Sequence, residues 1–203
     1  MQSSLLIVDD FLNDPDRVRE QALKLDYPDQ RGIFPGRNSL QRLELPGLSQ
    51  VVSNLVGEPL VPAPPNQSHA KCRATLAADE GLGRVHIDVS NWSGILYLSK
   101  PEDCRGGTEF FRHKRTGWDR FPLDLQEIRK GGFSSFQEAQ KVLVEEEGNR
   151  EDCWEPIMSV PMRYNRLVLL RPWLWHTAGP GFGDSLDNGR LVYLMFFVAP
   201  PQG

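Results

Sequence analysis

The sequence predicts a mainly β protein with flanking helices, of the sandwich or jelly-roll class. From Lys71 onward, short runs rich in β-branched and aromatic residues alternate with turn residues, as in a protein of many short strands. The chain also holds 18 glycines and 16 prolines, a share that suits strands joined by turns better than a helical bundle. The last run, residues 191–198, is apolar throughout, which is expected of a strand buried on both faces.

The first seventy residues are predicted to support that β core. Residues 3–8 form a short apolar strand, and a helix begins near Asn13-Asp14-Pro15, because proline is tolerated in a first helical turn. Tyr27-Pro28 ends the helix. Residues 58–68 hold four prolines and are predicted to be an extended connector. The helix buries a face formed by Val18, Ala22 and Leu25.

The rest of the chain is predicted to carry six strands and one insertion. Residues 112–156 are polar and charged at their ends, with a helix capped by Ser134 or Ser135. This insertion is either a lid beside a site or a solvated surface excursion. The chain is predicted to be one domain over residues 1–203, with the support in 1–70 and the β core in 71–200. The predicted strands are 72–76, 85–89, 93–98, 108–111, 167–170 and 191–198; the helical face is Phe136, Ala139, Leu143 and Val144.

Composition narrows the function classes. The net charge of −4 gives no global attraction to nucleic acid or to an acidic membrane surface, and four basic-type residues at 112–115 are typical of a solvated turn. We expect no membrane span and no signal peptide, because the apolar runs are short and the start lacks a basic stretch. Three widely spaced cysteines favour free thiols in a reducing cytoplasm. The sequence is silent on oligomeric state.

Three short features indicate a metal site. His86-Ile87-Asp88 lies in a predicted strand, where the period of two points both side chains to the same face. His176 lies in the terminal turn that follows the strand 167–170. Two imidazoles and one carboxylate on one face of an octahedral metal are the ligand set of non-haem iron(II) oxygenases, which leaves three positions open. The motif His-x-Asp alone is weak evidence for a metal site. The evidence is stronger when the motif is followed by His176 in a β-rich chain.

Arg190 adds a cation to this set. It follows His176 by fourteen residues and begins the final apolar strand. Taken alone, an arginine there is typical of a strand-edge surface charge. A planar guanidinium that binds a carboxylate through two hydrogen bonds explains its place better once the metal ligands are considered with it.

Two other classes remain open on these residues. A metal-dependent hydrolase or isomerase on a cupin-like barrel would use His86, Asp88 and His176 for zinc or manganese and would not need Arg190. A binding or structural protein would keep the β core without catalysis. Activity retained without Arg190 favours the first of these, and absence of metal favours the second.

The chain resembles the iron(II)/2-oxoglutarate-dependent dioxygenase superfamily, and within it the prolyl-hydroxylase-like branch. The resemblance covers residues 72–198 and extends to the opening strand and helix. It implies a double-stranded β-helix, the cupin-like jelly roll. In chain order, it is carried by His86-Ile87-Asp88, Gly94-Ile95-Leu96-Tyr97-Leu98, Gly106-Gly107-Thr108-Glu109-Phe110-Phe111, Asn165-Arg166-Leu167-Val168-Leu169, His176 and Arg190-Leu191-Val192.

The resemblance implies a role for each matched residue. His86, Asp88 and His176 would bind Fe(II). Arg190 would pair with the distal carboxylate of 2-oxoglutarate, Tyr97 would add a hydroxyl to it, and Thr108 would line the same pocket. Oxidative decarboxylation with O₂ would release succinate and CO₂ and hydroxylate a substrate C–H.

Two departures bear on cosubstrate binding. The family's basic residue usually follows its second histidine more closely, and Val192 stands where many members have Ser or Thr. The carboxylate of Asp88 argues against halogenation, since halogenating members have Gly or Ala there. The size of the chain favours a small-molecule substrate, an amino acid or a biosynthetic metabolite. Candidate substrate-binding residues are Arg37, Arg73, Asn91, Trp92 and Trp175.

Overall fold

The computed structural model describes residues 3–29, 34–79, 81 and 85–201, and it is built mainly from two antiparallel sheets. Ten strands are described: β1 (Leu5–Val8), β2 (Arg37–Asn38), β3 (Val61–Pro62), β4 (Cys72–Thr75), β5 (Trp92–Tyr97), β6 (Gly107–His113), β7 (Trp154–Pro161), β8 (Leu167–Leu170), β9 (His176–Thr177) and β10 (Arg190–Val198). The larger sheet has the order β1-β8-β5-β10-β4-β2, with β3 also paired to β10; the smaller has the order β7-β6-β9.

In the described part of the chain, four α-helices accompany the sheets: α1 (Pro15–Leu23), α2 (Leu48–Val56), α3 (Leu125–Lys130) and α4 (Phe136–Gln140). The predicted start of the helix at Pro15 is confirmed, with the carboxylate of Asp14 accepting a hydrogen bond from the Arg17 N–H at its first turn. The helix ends at Leu23 rather than at Tyr27-Pro28, so Leu25 packs against the core from beyond the helix. Ser135 caps α4, as one of the two predicted capping residues, and a π-helical segment (Lys141–Glu146) continues that helix. Within the described residues, each helix is too short or too polar to cross a membrane.

Strand β10 organises the larger sheet because it pairs with β3, β4 and β5. Its side chains alternate: Leu191, Tyr193, Met195 and Phe197 enter a core shared with α1 and α2, whereas the residues between them face the smaller sheet. Gly94 on β5 lets the neighbouring strands approach, since a Cβ there would lie 3.0 Å from Leu169 Cδ2 and from Met195 Cβ. The larger sheet therefore has one face covered by helices and one face turned toward a cavity.

The structure corrects three local predictions. Residues 85–89 form no strand; His86 makes only an isolated bridge to His176, because its neighbours turn away to bond other segments. The connector 58–68 contains β3, and helix α2 precedes it. Strand β7 begins inside the predicted polar region and extends five residues beyond it. It was not predicted, since Pro156 and Pro161 lie within it and most of its side chains are exposed.

The connection between β6 and β7 spans residues 114–153, because the two strands take in the ends of the predicted insertion 112–156. Its helices pack on the outer side of the smaller sheet and bury Ile128, Ala139 and Leu143 against Phe111 and Trp175. The described residues that line the cavity all lie outside this connection.

Candidate active site

His86 and His176 face each other across a backbone bridge. The His86 N–H donates to the His176 carbonyl at 3.0 Å, and the His176 N–H donates back to the His86 carbonyl at 3.1 Å. The Asp88 N–H donates to the carbonyl of Pro172 at 3.0 Å. These bonds hold the irregular segment around residue 87 against the chain before β9, so that the three side chains meet although they lie on no common strand.

The ligand atoms of His86, Asp88 and His176, hereafter the His86 cluster, lie within 4.8 Å of one another. Asp88 Oδ1 is 3.8 Å from His86 Nε2, and Asp88 Oδ2 is 3.4 Å from His176 Nε2. The cluster faces a cavity of about 200 Å³ between the two sheets. Two imidazoles and one carboxylate that converge at one end of a cavity are the donor set of a facial metal site with open positions.

Neighbouring groups fix two of the three side chains. His176 Nδ1 lies 2.8 Å from the carbonyl of Leu174, which only accepts hydrogen bonds, so Nδ1 carries a proton and Nε2 is the nitrogen that faces the cluster. The Ser93 hydroxyl donates to Asp88 Oδ2 at 2.6 Å. Such outer contacts orient metal ligands and are typical of metal sites.

Asp88 is ionised in this setting. Its burial acts to raise the pKa, but the hydrogen bond and charge of His176, together with His86 and Ser93, lower the pKa to about 2. Burial acts to lower the pKa of His176, and the bond to Asp88 outweighs it, so the pKa of that imidazole is raised. Asp88 is therefore a deprotonated carboxylate at neutral pH, which is the form that binds a metal.

Arg190 lines the same cavity with an incomplete set of partners. It is 1% exposed, and its Nε and Nη2 have no hydrogen-bond partner among the described residues. The guanidinium carbon lies 6.0 Å from the centre of the Tyr97 ring. Burial lowers the pKa of Arg190, but the group remains a cation. A buried guanidinium without its hydrogen bonds is costly, and a carboxylate ligand supplies both the charge and the acceptors.

Tyr97 lies beside this arginine and Thr108 contacts Tyr97, but neither is among the residues that line the cavity. Both are fully buried, and the Tyr97 hydroxyl is 2.7 Å from Thr108 Oγ1. The pair joins β5 of the larger sheet to β6 of the smaller one. Tyr97 packs with the apolar residues between the sheets.

Among the candidate substrate residues, Arg73 alone lines the cavity. Its guanidinium is occupied: Nε and Nη2 donate to the Pro35 carbonyl, Nη2 also to that of Phe34, and Nη1 to Asn38 Oδ1. Arg73 therefore fastens the segment 34–38 along the cavity. Arg37, in that segment, pairs with Asp29 at 3.1 Å and with Asp79 at 3.6 Å.

The other three candidates lie elsewhere. Trp92 is buried in the core under the helices, where its Nε1 donates to Glu58. Trp175 is fully buried in the core beside the β6–β7 connection. Asn91 is exposed, and its side chain accepts a hydrogen bond from the Ala199 N–H.

Sequence reasoning missed several residues of the site. The Phe34 ring lies 4.4 Å from the His86 ring and lines the cavity, together with Ser93. A signal for Ser93 existed, because it shares one face of β5 with Tyr97 at a period of two. None existed for Phe34, which reaches the site from a distant loop. The remaining wall is largely apolar and includes Ile95, Val192, Leu194 and Phe196.

This fold is that of the iron- and 2-oxoglutarate-dependent oxygenases, as the sequence resemblance implied. The non-heme alpha-ketoglutarate-dependent carbocyclase SnoK from nogalamycin biosynthesis is 12% identical, with a TM-score of 0.54 over 98% of this chain and 80% of that one. HygX from Streptomyces hygroscopicus, in a structure with nickel, 2-oxoglutarate and hygromycin B bound, is 14% identical, with a TM-score of 0.52 over 98% of this chain and 84% of that one.

The chain belongs to the family of unknown function DUF6445, which matches residues 1–197. No curated protein matches the sequence.

Proposed function

We propose that this protein is an Fe(II)- and 2-oxoglutarate-dependent oxygenase that hydroxylates a C–H bond of a small molecule, an amino acid or a biosynthetic metabolite. One oxygen atom of O₂ enters succinate, formed with CO₂ from 2-oxoglutarate, and the other enters the product hydroxyl. We take the two sheets to be the halves of a single-domain double-stranded β-helix, the cupin-like jelly roll, with the cluster at its open end. The free thiols of Cys72, Cys104 and Cys153 suit a cytoplasmic enzyme.

One observation carries the proposal: the His86 cluster shares its cavity with Arg190, a buried cation whose Nε and Nη2 have no partner in the described part of the chain. A hydrolase or isomerase site would need the metal ligands alone. The combination of a facial ligand set with an unsatisfied guanidinium suits a cosubstrate that is both a metal chelate and a carboxylate. 2-Oxoglutarate has this chemistry at its two ends.

The residues present fit the metal. His86, Asp88 and His176 would hold it, with the Leu174 carbonyl and the Ser93 hydroxyl orienting the second histidine and the carboxylate. When bound, iron(II) would supply the activation of O₂ for oxidation of the cosubstrate and of the substrate C–H. The ionised Asp88 balances part of the metal's charge within the buried site.

The other residues of the cavity would bind the cosubstrate, exclude water and contact the substrate. Arg190 would bind the distal carboxylate of 2-oxoglutarate, and the buried Tyr97–Thr108 pair would hold that end of the cavity closed, with Tyr97 beside the same carboxylate. The apolar side chains on β5 and β10 would keep water from the reacting atoms. Segment 34–38, fastened by Arg73, would form the substrate side of the cavity, with Phe34 beside His86.

The test is an anaerobic titration of metal-free protein with Fe(II) and 2-oxoglutarate. We expect the weak visible charge-transfer band of a chelated 2-oxo acid, lost in Asp88→Ala and shifted to much higher 2-oxoglutarate concentration in Arg190→Met. Arg166→Met is the matched control, since Arg166 pairs with Asp9 away from the cavity.

Each other outcome points to a different class. Binding of a divalent metal without the band would favour a metal-dependent hydrolase or isomerase. Absence of metal binding would favour a binding protein that kept the fold. An equal response of Arg190→Met and Arg166→Met would remove the argument from the buried cation.

A further inference from the structure

A second group of metal-binding side chains lies outside the cavity, where the β6–β7 connection leaves and rejoins the smaller sheet. His113 ends β6, Glu147 follows the π-helical segment, and Cys153 lies directly before β7. Their ligand atoms, one nitrogen, one oxygen and one sulfur, lie within 4.8 Å of one another. His113 is 1% exposed, and Glu147 and Cys153 are partly buried. We call these three residues the His113 cluster.

We propose that the His113 cluster binds a zinc ion or a similar soft divalent cation, with water as the fourth ligand, and that this site ties the β6–β7 connection to its strands. A thiolate, an imidazole and a carboxylate are all ligands that tetrahedral zinc takes in proteins. This inference does not depend on the proposed oxygenase activity, because it uses none of the residues that line the cavity.

The contact between His113 and Glu147 has the geometry of two ligands rather than of a hydrogen bond. Glu147 Oε2 is 2.9 Å from His113 Nε2, an ion-pair contact, but the direction of this contact does not meet the geometry of a hydrogen bond at the buried nitrogen. Atoms that bind one metal approach each other in this way, since each is aimed at the ion. A metal ion shared by the two groups would give the buried ring nitrogen a bond along its own direction.

The surroundings of the cluster are those of oriented ligands. His113 Nδ1 lies 3.0 Å from the hydroxyl of Thr116, which accounts for the nitrogen that the metal would not use. Arg115 lies 3.4 Å from Glu147 Oε2 and is half exposed, so it can support a ligating carboxylate from the solvent side. The Trp154 ring packs 4.8 Å from the His113 ring, and its Nε1 donates to the Glu147 carbonyl.

The position of the cluster connects it to the candidate active site. The carbonyl of Gly148, next to Glu147, accepts a hydrogen bond of 3.1 Å from the N–H of Val85, next to His86. This approach is close, since a Cβ on Gly148 would lie 2.9 Å from the Val85 carbonyl oxygen. An ion that orders residues 147–153 therefore also orders the backbone from which His86 projects.

Cobalt(II) distinguishes the two clusters in one experiment. The His86 cluster contains only nitrogen and oxygen ligands, so an intense near-ultraviolet thiolate-to-cobalt band in the full-length, metal-free protein reports a cysteine ligand. We expect this band to saturate at one ion per chain, to disappear when zinc is added, and to persist in Asp88→Ala. It is expected to be lost in Cys153→Ser and retained in Cys104→Ser, whose thiol is also partly buried.

A second measurement uses the unaltered protein. Zinc is expected to slow alkylation of Cys153 by at least roughly tenfold and to leave Cys104 unchanged, because a metal-bound thiolate is a poor nucleophile for the reagent. No thiolate band at saturating cobalt, or a band that survives Cys153→Ser, would overturn the proposal. Equal alkylation of Cys153 with and without zinc would do the same, whatever the outcome at the His86 cluster.

Discussion

The His86 cluster and the His113 cluster both join an imidazole to a carboxylate, and they differ in what surrounds them. The first faces a cavity of about 200 Å³ lined by apolar side chains, whereas the second lies between a strand end, a helix end and a strand start. The first contains two histidines; the second replaces one with Cys153. Nitrogen and oxygen ligands with an open side suit catalysis, and a thiolate ligand within the chain's own packing suits a structural ion.

The arginines near the two clusters also differ in their exposure and in their charge partners. Arg115 is half exposed and its charge is already paired with Glu147. Arg190 is buried and lacks partners on two of its nitrogens within the described residues. Arg115, whose charge is already paired, can orient the Glu147 carboxylate. Arg190, whose charge is unpaired, is suited to binding an anionic ligand. Access to a cavity and the state of the neighbouring charge therefore separate the two sites, in addition to the ligand types.

The largest expected effect is the loss of iron binding in a variant that disrupts the His86 cluster alone. Asp88→Ala removes the only carboxylate ligand of the His86 cluster, so we expect iron affinity to fall by more than about 100-fold, beyond the loss typical of outer-shell changes. Oxygenase turnover should fall below detection. The cobalt–thiolate band of the His113 cluster should keep its intensity, and its loss in this variant would mean that the clusters are not independent. Binding isotherms for both metals provide the measurement.

A comparison of two buried arginines sharpens the argument from charge. Arg171 is as buried as Arg190, but it bonds Glu58 and the Asn91 carbonyl and stacks over Trp92. Arg171→Met removes the cation paired with the partly exposed Glu58, which keeps the Trp92 Nε1 donor, and should lower the free energy of unfolding by about 2 kcal/mol. Arg190→Met removes an unsatisfied charge and should raise the free energy of unfolding by about 1 kcal/mol, while 2-oxoglutarate binding weakens.

Chemical denaturation of the two variants checks this contrast. Similar destabilisation by both substitutions would mean that Arg190 is satisfied in the protein and would remove the case for a carboxylate at that position. Added 2-oxoglutarate with metal should stabilise the native chain and fail to stabilise Arg190→Met, which separates a binding defect from a folding defect.

The sequence predicts most of the larger sheet and less of what surrounds it. Strand β8 has the predicted bounds, because four consecutive apolar residues leave no other place for it, and β10 differs only by starting at Arg190. The strand β7 was missed because prolines and exposed positions hide its pattern. A strand that is buried on both faces can be predicted from its sequence, because its residues are continuously apolar. A solvent-facing strand lacks that pattern, and its position depends on pairing with the neighbouring strand.

The same division holds for the candidate site. His86, Asp88 and His176 are grouped by motif order, and the structure places them together although the first two lie on no strand. Phe34 reaches the site because Arg73 donates a hydrogen bond to its carbonyl and holds its segment there. This is a tertiary contact that no sequence pattern predicts. The His113 cluster is equally invisible, since its members lie 34 and 6 positions apart in an irregular connection. Their roles as ligands stay predictions.

An intermediate effect tests whether the second cluster is structural. In an Asp88→Ala background, which removes the first cluster, zinc at about 100 times its dissociation constant should add about 2.7 kcal/mol to the free energy of unfolding. This corresponds to a rise in Tm of roughly 5–10 °C for a chain of this length. Adding Cys153→Ala should abolish the rise. A zinc-dependent shift that persists in the double variant would place the stabilising ion elsewhere.

The smallest expected effect lies in the connection that carries the second cluster. Arg120 bonds both carboxylate oxygens of Glu127, and its side-chain hydrogen bond, with that of the Leu123 N–H, lowers the pKa of Glu127 to about 2. Because the folded pKa is depressed, this contribution is complete above the ordinary value near 4.5 and is lost as the pH falls toward 2. The pair is about one-third exposed, so we expect about 1 kcal/mol.

Arg120 also bridges through its backbone to Leu174, whose carbonyl orients His176. Acid loss of the Arg120–Glu127 pair should therefore loosen the connection before it affects the core under α1 and α2. Denaturation of native protein and of Glu127→Gln between pH 6 and pH 3 should converge as the pH falls, with the native chain more stable only at the upper end. Parallel curves would assign the pair no part in stability. Glu146→Gln, whose contact with Lys141 is long and exposed, is the matched control.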